Sequence, residues 1–81
     1  MLKKITFEDT VFEYDPKEAK NYKNIKRIVK AKSDPEGLFD VFEAIFAGKD
    51  EEYAEVLDND LDKLSELMSA AINNEGAAGK N

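Results

Sequence analysis

Cysteine and histidine are both missing from this chain, and each absence removes a class of chemistry. Without cysteine there are no disulfides, thiolate metal sites or thiol nucleophiles; without histidine the commonest general base and metal ligand is gone. Hydrolytic and redox catalysis are therefore not expected, and neither is a metal or any other cofactor. Long apolar runs are missing as well. The basic start Met1-Leu2-Lys3-Lys4 passes straight into Ile5-Thr6-Phe7-Glu8-Asp9, which is no signal-peptide core, and no run approaches the length of a membrane span. A soluble intracellular protein is expected. Its 81 residues make one small domain with a thin core, and a domain this short has little room for a deep, enclosed active site.

Positive charge is scarce in the second part of the chain. Residues 1–32 carry nine Lys/Arg against five Asp/Glu, and residues 33–81 carry three against thirteen, so a net of +4 is followed by a net of −10. The acidic total argues against general binding to nucleic acid or anionic membranes, while a local basic face remains available.

Ile5-Thr6-Phe7 and Val11-Phe12-Glu13-Tyr14 are rich in β-branched and aromatic residues and flank Glu8-Asp9-Thr10, which predicts a hairpin over about 3–14. Both prolines then stand at helix starts. Asp15-Pro16-Lys17-Glu18 offers a cap, a proline at N1 and a glutamate that can reach back to the cap, predicting a helix over about 16–32 with Tyr22, Ile25 and Val29 inward. Ser33-Asp34-Pro35-Glu36 repeats that chemistry, with Ser33 and Glu36 as a capping box or Asp34 capping before Pro35, for a second helix over about 35–47. Gly48 suits the C′ position, and Asp50 can cap a third helix over about 51–58 bearing Tyr53, Val56 and Leu57. The Asp58-Asn59-Asp60 cluster ends it. Leu61, Leu64, Leu67, Met68, Ala71 and Ile72 give the clearest amphipathic period, a helix over about 60–73. The expected fold is mainly α, a small bundle of three to four helices with a short N-terminal β-hairpin, in a single domain spanning residues 1–74. Residues 75–81 read as a flexible tail.

The second helix has an unusually wide apolar face. Val41, Ile45, Leu38, Phe42, Phe46 and Phe39 cover a sector of roughly 160° at about 100° per residue, where a helix on one core needs nearer 100°. Either two elements of the same domain cover it, or one element and a partner protein do. Leu38, Phe39, Phe42, Ile45 and Phe46 are thus candidate partner-binding residues, although apolar periodicity more often marks core. On the first helix Lys20, Lys23, Lys26, Arg27 and Lys30 form a candidate basic face. No aromatic interleaves it to stack bases, so nucleic acid is not an expected partner; attraction to the acidic half, within or between copies, is the reading preferred. The Asp58–Asp62 run fails as a calcium loop, since the glycine and glutamate positions of an EF-hand would fall on Lys63 and Ser69. Paired carboxylates for glycoside chemistry would need a cleft that so small a chain can hardly provide.

The order Ser33-Asp34-Pro35, Leu38-Phe39-Asp40-Val41-Phe42, Ile45-Phe46-Ala47-Gly48-Lys49-Asp50-Glu51-Glu52-Tyr53, Leu61 to Ile72 and the closing Gly79-Lys80-Asn81 resembles the tail assembly chaperones of long-tailed phages infecting Gram-positive bacteria. The resemblance implies a binding protein of the bacterial host cytoplasm that coats the long, helical tape measure protein and keeps it soluble until tail-tube subunits assemble around it. It implies the tape measure protein as partner, with the tail tube protein as an additional one; self-association is expected from the opposite charges of the two halves, and no membrane partner is expected from the acidic total and the lack of long apolar runs. It also implies a longer product made by ribosomal slippage. Gly79-Lys80-Asn81 can be encoded GGA-AAA-AAC, which contains the slippery heptamer A-AAA-AAC, whereas an AAG codon for Lys80 would exclude it. Two other readings stay open from the residues alone: a small acidic regulator that binds a host protein, and a homo-oligomeric domain with no client.

Overall fold

The computed structural model describes residues 1–33 and 35–76. Strands β1 (Lys3–Phe7) and β2 (Thr10–Tyr14) pair antiparallel, with Ile5 opposite Phe12 and Phe7 opposite Thr10. Glu8 and Asp9 both have positive φ, 50° and 64°, the backbone that matches a two-residue turn to the twist of its strands. The turn is thus one residue shorter than expected, and Thr10 joins β2. Period-two alternation sends Phe12 and Tyr14 into the core and leaves Val11 outside.

The single helix expected over 16–32 is divided. Helix α1 (Pro16–Ala19) is capped by Asp15, whose carboxylate accepts from the Lys17 N–H at 2.9 Å. It stops after one turn because Asn21 adopts an extended conformation and caps α2 (Tyr22–Val29), its side chain accepting from the Lys23 N–H at 2.8 Å. An asparagine side chain that mimics the backbone in this way competes with helix continuation. The Asn24 amide then ties the two helices together, donating to the backbone and carboxylate oxygens of Glu18, both at 2.9 Å. Glu18 is therefore engaged with Asn24, and the Asp15 N–H donates to the Ile45 carbonyl. This break rotates the expected inward face. Tyr22 and Val29 are exposed, Ile25 is half-buried and Asn24 is buried.

A 3₁₀ turn, Lys30–Lys32, precedes α3 (Glu36–Ile45). Among the described residues no side chain caps α3; the Ser33 hydroxyl donates to the Lys30 carbonyl and closes the 3₁₀ turn in place of the expected capping box, and Asp34, the alternative cap, lies outside the described residues. At its other end Ala47, not Gly48, takes the C′ position. The Gly48 N–H donates to the Glu43 carbonyl at 2.9 Å and the Ala47 N–H to that of Ala44 at 3.3 Å, the two bonds of a Schellman ending. Helix α4 (Asp50–Val56) follows with Lys49 at its start and Asp50 inside it, so Asp50 is not the cap. Asp58 and Asn59 have φ of 63° and 56°, which reverses the chain into α5 (Leu61–Asn74), capped by Asp60 through the N–H groups of Asp62 and Lys63.

The result is mainly helical, with the hairpin packed against the helices. Helix α5 contributes Leu64, Leu67, Met68, Ala71 and Ile72 to the core, α3 contributes Val41, Phe42 and Ile45 together with Phe46 just beyond it, and the hairpin closes one side with Phe12 and Tyr14. Leu61, assigned to the buried stripe of the last helix by its spacing, is 49% exposed. No helix among the described residues is long and apolar enough to cross a membrane.

Candidate functional site

The wide face of α3 is covered mainly by the chain itself. Phe42, Ile45 and Phe46, three of the five residues proposed from sequence to meet a partner, are essentially inaccessible. They belong to the core because α4 and the hairpin fold over them: the Tyr53 ring stands edge-on to Phe46 at 5.4 Å and to Phe12 at 4.9 Å, and its hydroxyl accepts from the Glu13 N–H at 3.0 Å. Leu38 is half-buried against the same core. Phe39 alone of the five remains open, 57% exposed, its ring edge-on to Phe42 at 6.3 Å.

Phe39 stands at the lip of a groove of about 500 Å³ between α3, α4 and the start of α5. Phe42, Ala54, Leu61 and Leu64 give it apolar walls; Asp50, Glu51, Asn59 and Asp60 supply the polar lining. Local backbone chemistry builds this shape. The Schellman ending of α3 turns the chain back so that α4 begins beside Phe39, and the left-handed pair Asp58-Asn59 turns it again. The Asn59 N–H donates to the Ala54 carbonyl at 2.6 Å, holding the reversal tight and setting Leu61 beside Ala54 in the groove. Asp50, Glu51 and Asp60 form no ion pair among the described residues, so the groove keeps a negative lining. An open apolar groove lined in this way suits an amphipathic helix laid along it.

The basic residues divide between two places. Lys23, Lys26, Arg27 and Lys30 line a shallow groove of about 360 Å³ on α2. Lys20, on the far side of the Asn21 break, lies 3.9 Å from Glu75 and does not line that groove. Opposite charges from the two halves of the chain also meet in Lys49–Glu13 at 3.0 Å and Lys63–Glu8 at 3.5 Å, exposed pairs of small individual weight.

Sequence spacing missed a second polar cluster. The buried Tyr14 hydroxyl donates to Glu75 and accepts from the Asn74 amide at 2.7 Å, while the Lys3 ammonium lies 3.0 Å from Glu75. The Tyr14 hydroxyl, and after it Lys3, holds the Glu75 carboxyl below the ordinary carboxylate range. Burial, then the hydrogen bond to Glu75, raises Tyr14; Glu75 likewise raises Lys3. Glu75 is therefore an anchor of the C-terminal end of α5 and not the first residue of a loose tail. The only sequence signal was the acidic residue just past the helix end, which does not identify a partner about 60 positions earlier in the chain. Gly79, Lys80 and Asn81, which carry the slippage expectation, lie outside the described residues.

Comparisons of the chain with protein-family models, curated proteins and solved structures found no match. Among the described residues no group of three or more acidic side chains converges as a metal site.

Proposed function

We propose that this protein is a phage tail assembly chaperone, a binding protein and not an enzyme, that receives an amphipathic helix of the tape measure protein in the Phe39 groove and keeps it soluble in the host cytoplasm during tail morphogenesis. The observation that carries the reading is Phe39 itself: Val41, Phe42, Ile45 and Phe46 on the same stripe are closed into the core, while this phenylalanine stays open above an apolar groove. Exposed apolar surface framed by polar residues is the mark of an interaction site. The sequence resemblance supports the choice of client, and a net charge of −6 opposes aggregation of a complex with a long apolar partner.

Co-expression with a tape measure protein of a long-tailed phage tests the proposal. The chain should raise the client's soluble yield, and Phe39→Asp or Leu61→Asp should abolish the gain. Both positions are at least half open or nearly so, so circular dichroism of these variants should match the parent. Folded variants that still solubilise the client would refute this groove as the binding face.

A further inference from the structure

Helix α2 presents a surface that its own fold leaves open. Tyr22 is 73% and Val29 76% exposed, and at about 100° per residue they lie within roughly 20° of each other around the helix. Lys26 and Lys30 follow on one side of this apolar strip, continuing into the basic groove shared with Lys23 and Arg27. The Phe39 groove is its counterpart: apolar Phe39 and Leu61 beside the carboxylates of Asp50, Glu51 and Asp60. The two surfaces sit at opposite ends of α5. Its first turn lines the Phe39 groove, whereas Ile72 and Asn73 line a cleft with Ile25, Ile28 and Val29 of α2, about 16 Å further along at about 1.5 Å per residue.

We propose that in the client-free protein the Phe39 groove of one copy takes α2 of a second copy, Tyr22 and Val29 entering the apolar part and the α2 lysines meeting Asp50, Glu51 and Asp60. Apolar contact and charge are matched on both sides, and the separation along α5 makes the contact intermolecular. It is heterologous: each association leaves one groove free at one end and one α2 free at the other, so the assembly extends as an open chain or closes as a ring. As a control on client binding this inference rests on the chaperone reading, because a client helix would have to displace α2; as self-association it does not.

Sedimentation of the purified full chain over a range of concentrations, at low and high salt, tests it. The mass should rise with concentration, and salt should weaken the association because the charge pairs are exposed. Tyr22→Asp and Phe39→Asp should each weaken it by more than about tenfold, as expected for an aromatic anchor. Mixing these two variants leaves one intact groove and one intact α2, so a one-to-one dimer should form and nothing larger. Val29→Asp with Leu61→Asp repeats the experiment if either first variant loses its helical spectrum. The charge reversal Asp50→Lys with Glu51→Lys should weaken association, and adding a partner chain with Lys26→Glu and Lys30→Glu should restore it. A chain that stays monomeric, variants that associate like the parent, or a mixture that stays monomeric would overturn the proposal. A groove that takes a tape measure helix but no second copy overturns it and leaves the chaperone reading standing. Self-association that follows these rules while no client competes refutes the chaperone reading alone.

Discussion

Truncating Phe46 and Phe39 separately distinguishes core from surface on a single helix face. Phe46 is fully buried, stacked near Phe42 at 6.5 Å and edge-on to Tyr53 at 5.4 Å. Phe46→Ala removes the transfer free energy of a ring and leaves a cavity between those two neighbours, a loss of about 3–5 kcal/mol. A domain of this length is stable by about 4–12 kcal/mol, from roughly 0.05–0.15 kcal/mol per residue. The substitution therefore consumes from about a quarter of the stability to all of it, and at about 4–8 °C per kcal/mol the melting temperature falls by about 12–40 °C. Phe39 is 57% exposed and keeps one edge contact with Phe42, so Phe39→Ala should cost only about 0.5–1 kcal/mol. Urea unfolding followed by circular dichroism measures both: the midpoint should move far for Phe46→Ala and little for Phe39→Ala, with an unchanged slope. Losses within about 0.5 kcal/mol of each other, a spread no larger than that of ordinary surface changes, would refute the division of this face into core and groove lip.

Glu75 has a depressed folded pKa, so its contribution is present above its unfolded pKa and is lost as pH falls through the folded value. Tyr14 has a raised one, so its contribution is present below its unfolded pKa and is lost as pH rises through the folded value. Tyr14→Phe should accordingly flatten the decline in melting temperature on both the acid and the alkaline side, the Lys3–Glu75 pair keeping part of each, and curves that run parallel to the parent would show the Tyr14 hydroxyl to be inert. At the end of α3, Ala47 carries φ of 54° and Gly48 of 82°, with nothing near a Cβ built on Gly48. Ala47→Gly should gain up to about 1 kcal/mol and Gly48→Ala should lose about 1 kcal/mol by relief and creation of left-handed strain; urea midpoints in the reverse order would contradict the Schellman assignment.

By itself the sequence determined what depends on neighbours within a few positions. The hairpin is legible because alternation has a period of two, α5 because Leu64, Leu67, Met68, Ala71 and Ile72 repeat at helical spacing, and the α4–α5 corner because Asp58-Asn59-Asp60 combines residues tolerant of positive φ with a helix cap. Part of the groove was legible too, since Phe39 lies at the edge of the α3 stripe; Leu61 was not, because its spacing is that of a core residue. The break at Asn21 was missed where a local cap competed with an apparently continuous helical pattern, and that contest was settled by Asn24 reaching back to Glu18. Tertiary structure alone decided which apolar positions are closed. Phe39 and Phe46 lie about 20° apart around the helical pattern, yet one is open and the other buried. The difference is Tyr53, carried back over Phe46 by the turn at Ala47-Gly48 and held by the hairpin. A periodic pattern records which way a side chain points, and burial depends on what the rest of the chain brings to meet it.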